Sequence, residues 1–328
     1  MPRLKWFKEK GTQMRIYVLP IALLLAIAAT AHAGADPNAG TASFAFLKIG
    51  AGARPVALGG AYVGVAEGAN GLYWNPGALT RMPGREFSAT YMNYLVGMQS
   101  GYLAYAQPWR KNASFGVSVN YLNGGQVQET TLDNPTGVGL PKFSSGDIAL
   151  EWAYAQALSP SLSLGVGVKM VRESIKNYSA MGFALDMGAF YAPNIRGLTL
   201  GASLSNLGKK TKAFITEKEP LPMVFRAGLG YRIPRFKDKV LLALEADKPS
   251  DNKFNLHLGG EVGIHKYASL RAGYASTGGD LKTGSDTDWL GGLSFGLGTH
   301  YKSYQMDYAF TPYVQLGNAH RVSLSARF

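Results

Sequence analysis

Between Ser161 and Met170 every second residue is apolar: Leu162, Leu164, Val166, Val168 and Met170 share one face of an extended chain. Ser161, Ser163, Gly165, Gly167 and Lys169 occupy the other. A period of two is a strand period, because successive side chains point to opposite sides of the backbone. The same device recurs in Ala113-Phe115-Val117-Val119-Tyr121, in Met223-Phe225-Ala227-Leu229-Tyr231 and in Leu293-Phe295-Leu297, each opposed by a face of Gly, Ser, Asn or Arg. Alternation averages apolar against polar, so the mean hydropathy is only −0.04 although one face is wholly apolar.

Fourteen such segments are counted, at 86–96, 98–108, 112–122, 145–157, 162–174, 179–192, 198–206, 223–233, 240–247, 254–264, 268–275, 289–298, 304–310 and 320–328. Tilted strands of about nine to eleven residues are long enough to cross a bilayer's hydrocarbon core. Only 16% of residues are charged, below the roughly 25% of soluble domains. The 41 glycines show no collagen period, weaken a helical bundle, and stand beside too many aromatics for a disordered chain. With no Cys, disulfides, thiolate metal sites and a lipoprotein anchor are excluded. The expectation is an all-β fold: a 14-stranded antiparallel transmembrane barrel over 86–328.

The connections test that expectation. Outer-membrane barrels have long loops on one side and short turns on the other. Taking both ends of the barrel as periplasmic, the even-numbered connections face inward, at 108–111, 158–161, 193–197, 234–239, 265–267 and 299–303, and all are short. The three longest gaps, 123–144, 207–222 and 276–288, fall on odd connections. The last strand alternates through Val322, Leu324 and Ala326 to a terminal Phe328, which resembles the signal read by the barrel assembly machinery.

The N-terminus reads as an export signal. Arg3, Lys5, Lys8, Lys10 and Arg15 precede an apolar run from Ile16 to about Ala29, and Ala31-His32-Ala33 supplies a small-x-small cleavage site. Pro20 and the short run argue against a membrane anchor. Residues 1–33 are therefore expected to be removed and the protein placed in the outer membrane of a Gram-negative bacterium. Removing five bases and one acid lowers the net charge from +12 to +8.

Residues 34–85 do not alternate. They contain Phe46-Leu47-Lys48-Ile49-Gly50-Ala51-Gly52-Ala53-Arg54-Pro55, Leu58-Gly59-Gly60-Ala61-Tyr62-Val63 and Gly71-Leu72-Tyr73-Trp74-Asn75-Pro76-Gly77. No Lys-Ser/Thr follows the glycines, so they do not form a phosphate cradle. Small residues suit compact turns in a narrow space, and the lumen of a fourteen-strand barrel leaks unless filled. A Gly-rich N-terminal hatch inside the lumen is expected, with Asn75 and Pro76 in a turn. Arg54 and Glu67 should pair with inward charges drawn from Glu151, Lys169, Asp186, Arg226, Glu245, Asp247, Glu261, Arg271 and Asp307.

These blocks resemble the PorV/PorQ family of outer-membrane proteins. That family is related to the long-chain fatty-acid transporters (FadL type), fourteen-stranded barrels with an N-terminal hatch carrying an Asn-Pro-Ala motif; here Gly77 replaces the Ala. The resemblance marks Arg54, Gly59, Gly60, Glu67, Trp74, Asn75 and Pro76 as the hatch motif. It implies a cargo-binding or shuttle role in type IX-like secretion, with secreted cargo proteins and other secretion-system components as partners beside outer-membrane lipid. The alternative is a channel for hydrophobic molecules, with the hatch as gate and an exit sideways into the membrane.

Among the outer connections, 123–144 holds Val127, Leu132, Val138, Leu140 and Phe143 and is the candidate partner loop. Enzyme chemistry is not expected: His257, His265, His300 and His320 form no His-x-x-x-His or Glu-x-x-His pair, and no cofactor or metal is called for. Arg110, Lys111, Arg196, Arg235, Lys237, Lys239, Lys266 and Lys302 against Asp238 place +7 of the mature +8 on the short turns. That is a basic rim and not a nucleic-acid surface.

Overall fold

The computed structural model describes residues 36–216, 219–281 and 283–328. The expected signal at 1–33 lies outside the described residues.

Fourteen antiparallel strands close into a barrel: β1 Glu86–Asn93, β2 Gln99–Arg110, β3 Ala113–Gln128, β4 Lys142–Ala157, β5 Leu162–Ile175, β6 Tyr178–Tyr191, β7 Leu198–Lys212, β8 Val224–Arg232, β9 Val240–Pro249, β10 Asn255–His265, β11 Ala268–Ala275, β12 Leu293–Tyr301, β13 Tyr304–Pro312 and β14 Asn318–Arg327. Every strand pairs with its sequence neighbours, and β1 meets β14 from Glu86 opposite Arg327 to Asn93 opposite His320. Closure removes the free edges that an open sheet would expose to lipid.

The alternating pattern sorts the faces. Along β5, Leu164, Val166 and Val168 are exposed on the outside, while Ser163, Gly167 and Lys169 are buried inside. Trp152, Phe183, Phe225, Phe295 and Leu324 likewise stand exposed on the outer face. Such a face is stable only against hydrocarbon, since water would oppose so much contiguous apolar surface.

One end of the barrel, called here the turn end, carries the connections at 111–112, 158–161, 192–197, 233–239, 266–267 and 302–303 together with both barrel termini. The loop end carries 94–98, 129–141, 176–177, 213–223, 250–254, 276–292 and 313–317. All eight bases of the predicted rim lie at the turn end, where Arg196 meets Asp238 at 3.2 Å. Three of them stack on rim aromatics: Arg110 on Trp109, Lys266 on Tyr267 at 4.7 Å and Lys302 on Tyr301 at 5.5 Å.

Strands β3, β4, β7 and β12 differ from the sequence expectation. β3 and β4 run six and three residues further towards the loop end than expected, pairing Val127 with Phe143. β7 continues through Lys209 to Lys212. Beyond the hydrocarbon core a strand has no need of an apolar face, so these polar extensions carry no alternation to read. β12 begins at Leu293, because Asp288–Leu290 forms a 3-10 turn. Among the described residues no helix is long and apolar enough to cross a membrane.

Candidate functional site

The chain from Asp36 to Gly84 runs through the barrel before β1 begins. Its short helix Ala53–Ala57 packs against β11 to β14, and its 3-10 turn Pro76–Arg81 packs against β4, β5 and β6 on the opposite side. A segment touching both sides of a closed barrel lies in its lumen. Small residues make this possible. Gly59 and Gly60 hold left-handed backbone, φ 69° and 85°, and a methyl group on facing Gly273 would lie 2.0 Å from the Gly59 nitrogen. Backbone therefore meets backbone with no side chain between.

Buried charges fix the turn-end part. Arg54, 5% exposed, donates to Glu261 at 2.7 and 3.0 Å and pairs with Glu67. Glu261 is shared with Arg271 at 2.6 Å, and Arg271 reaches Asp307 at 2.6 Å. Arg232 lies 4.0 Å from Glu67 and 3.9 Å from Glu261. Each charge has an opposite neighbour, the condition under which charges tolerate burial. Nearby, Glu245 accepts the backbone N–H groups of Tyr62 and Val63 at 2.7 and 2.6 Å, with Arg226 at 3.6 Å. His257, near the loop end of β10, bridges Asp247 at 2.5 Å and the Gly59 carbonyl at 2.7 Å. On the other side of the lumen Lys169 donates to Asp186 at 2.8 Å and Asn206 at 2.9 Å.

Asn75 organises the tip of the segment. Its Oδ1 accepts the Gly77 N–H at 3.1 Å, and its Nδ2 donates to the Val63 carbonyl at 3.0 Å and the Ala189 carbonyl of β6 at 2.9 Å. Pro76 opens the following turn, where its fixed φ and missing N–H cost nothing. Trp74 donates its indole N–H to the Ala51 carbonyl at 2.9 Å and packs edge-on to Tyr62 and Tyr73.

The barrel wall behind this tip is thin. A methyl group on Gly165 would stand 2.4 Å from the Pro76 carbonyl carbon, and one on Gly188 would stand 2.3 Å from Asn75 Oδ1. On the outer side of the same glycines an apolar groove of about 570 Å³ is lined by Tyr154, Leu164, Val166, Met187, Leu204 and Phe225. A lipid-facing groove and the tip of the luminal segment are thus separated by bare backbone alone.

The fold is similar to that of FadL-type transporter barrels. The Ralstonia pickettii toluene transporter TbuX shares 13% identity over 85% of this chain and 98% of its own, with a TM-score of 0.57. The Pseudomonas putida toluene transporter TodX shares 13% over 84% and 96%, at 0.55. A Pseudomonas aeruginosa FadL homologue shares 15% over 82% and 95%, at 0.52. No protein-family model matches the chain, and no curated protein does. The PorV/PorQ resemblance drawn from residues 46–77 therefore gains nothing from these comparisons, whereas the related transporter architecture does.

The structure brings Arg54, Gly59, Gly60, Glu67, Trp74, Asn75 and Pro76 into the lumen, and Arg54 takes Glu261 from the expected set of inward charges. Glu67 pairs instead with Arg54 of its own segment and stands near Arg232, which alternation puts on the polar face but which the expected set of inward charges omits. The partner-loop residues separate: Val127 and Phe143 sit on paired strands, while Leu132 and Val138 are fully or largely exposed and Leu140 is half-buried in the loop. Phe328 exchanges backbone hydrogen bonds with Arg85 at 2.9 and 3.2 Å and leaves its ring exposed. Sequence reasoning missed the serines that receive the segment: Ser323 accepts the Ala53 N–H at 2.8 Å and Ser294 the Gly59 N–H at 3.1 Å. Their only signal was a place on the small, polar strand face.

Proposed function

We propose that the protein is an outer-membrane channel for small hydrophobic molecules, with its turn end in the periplasm and its luminal segment acting as the hatch. The observation that carries this reading is the thin wall at Gly165 and Gly188, where an apolar external groove backs onto the Asn75-Pro76-Gly77 tip. A molecule released beside the tip would enter hydrocarbon without crossing water, which suits an apolar cargo and not a sugar or an ion. The similarity of the barrel to two toluene transporters and a FadL homologue supports the reading at the level of fold. Transport then needs the tip to withdraw, and no covalent chemistry is involved.

Thr80 of the tip helix donates to Ser163 of β5 at 2.7 Å, and the chain has no Cys. A Thr80→Cys/Ser163→Cys pair should form a disulfide that clamps the tip to the wall. Toluene uptake by cells lacking their own hydrophobic-compound channels should fall at least tenfold when the pair is oxidised and recover on reduction, by analogy with any gate locked shut. Equal uptake in both states would sink the reading.

A second reading keeps the secretion role, because Leu132 is fully exposed and Val138 largely so at the top of the β3–β4 hairpin. Exposed apolar side chains on a projecting hairpin suit contact with an exported protein. Deleting 130–140 should then abolish co-purification of secreted proteins while heat-modifiable barrel mobility is retained; unchanged co-purification argues against it.

A further inference from the structure

Six basic side chains are buried in the described barrel: Arg54, Lys169, Lys210, Arg226, Arg271 and Arg321. Five face a carboxylate within 4 Å. Arg321 of β14, 3% exposed, has no ion pair among the described residues, and its Nη1 has no hydrogen-bond partner. A guanidinium cannot shed its proton, so it cannot escape burial by neutralising. An uncompensated buried charge is strongly destabilising, and a fixed cation of this kind calls for a counter-charge.

Arg321 lines a small luminal cavity under the loop end, together with Thr90, Ser100, Tyr102, Asn120 and residues 49–51. The cavity volume is about 10 Å³, room for one water-sized group. No carboxylate lines the cavity; the nearest acid along the neighbouring strand, Asp307, is already held by Arg271 and Gln305. A buried cation thus faces a space where the described residues supply no anion.

We propose that Arg321 forms a binding site for one small monoanionic group, held by its guanidinium N–H donors. Halide is the free anion of suitable size; one carboxylate oxygen of an incoming acid has the same chemistry. Residues 49–51 form one wall, so the bound anion ties the luminal segment to β1, β2 and β14. The site does not depend on the transport reading.

The test is protein purified and crystallised from sodium bromide. Anomalous density is expected within hydrogen-bond reach of Arg321, with melting about 2–4 °C higher in bromide than in gluconate at equal ionic strength. Both should vanish in Arg321→Met, whereas Arg321→Lys, which keeps the charge, should retain weakened binding. Protection by bromide and acetate alike identifies a free-anion site; protection by acetate and decanoate without bromide identifies a carboxylate headgroup site. Absence of density at Arg321 in the wild-type protein, with equal melting in bromide, acetate, decanoate and gluconate, overturns the proposal, and that measurement needs no variant to fold.

Discussion

Two stretches of the luminal segment are held in opposite ways. Residues 53–82 are locked across the lumen by buried ion pairs, backbone contacts through glycine, and Asn75. Residues 36–49 lie towards the loop end and are tied largely at their margins: Lys48 pairs with Asp251, Lys248 with Asp36 at 3.6 Å, and Ser43 donates its N–H to the Pro220 carbonyl at 3.1 Å. Phe44, Phe46 and Leu47 add an apolar anchor against Val171, Ala180 and Leu221, with Lys210 over the Phe44 ring. Buried pairs are costly to break and exposed ones are not, so the first stretch is the fixed block and the second is the part that loosens first.

The comparison breaks most visibly at Glu261. Glu261→Gln leaves Arg54 and Arg271 sharing a neutral partner in a buried site, and unfolding of the purified barrel in denaturant should show a loss of about 3–5 kcal/mol. Next comes the glycine contact: Gly273→Ala places a methyl group 2.0 Å from the Gly59 nitrogen, so the block should unseat. A cost of about 1–3 kcal/mol is expected, with protease cleavage appearing within 53–82 while the strands stay resistant. Because Asp251 is buried, Lys48→Ala is combined with Asp251→Asn, which removes the pair without leaving a buried carboxylate unpaired. Stability should change by less than about 1 kcal/mol, yet amide exchange of 43–49 should quicken with exchange of 53–82 unaltered. If both stretches quicken together, the two are one cooperative unit and the comparison fails.

The smallest effect is one of pH. The hydrogen bond from Lys210 holds the exposed Glu219 carboxyl below its usual range, and Glu219 also accepts from Ser43. A lowered pKa stabilises the charged form, so this tie is present at neutral pH and is lost as pH falls through the carboxylate range. Exchange of 43–49, compared between pH 7 and pH 3, should rise more in the wild-type protein than in Glu219→Gln, which lacks the titration.

Much of the barrel was legible because lipid imposes a rule on every second residue. β11 runs over 268–275 as the alternation of Leu270, Ala272 and Tyr274 against Ser269, Arg271 and Gly273 requires. The parity of the long connections placed the two ends for the same reason. Legibility stopped where the rule stops. The β7 extension through Lys209 and Lys210 stands clear of the apolar band, and the bulge at Asn206, with φ 61°, obeys a local bond to Asp186.

Within the lumen, residue type carried the expectation that charges pair, but not with whom. Arg54 could meet any of six inward carboxylates; only the path of the segment across the barrel set it between Glu261 and Glu67. The same path left Arg321 without a carboxylate and laid Asn75-Pro76-Gly77 against Gly165 and Gly188, from strands far apart in sequence. The sequence by itself determined a closed antiparallel barrel with an apolar exterior, because hydrocarbon tests each outward side chain independently of its neighbours. Which luminal groups meet was decided by tertiary structure alone, because those contacts join strands and segment across the barrel and leave no period along the chain.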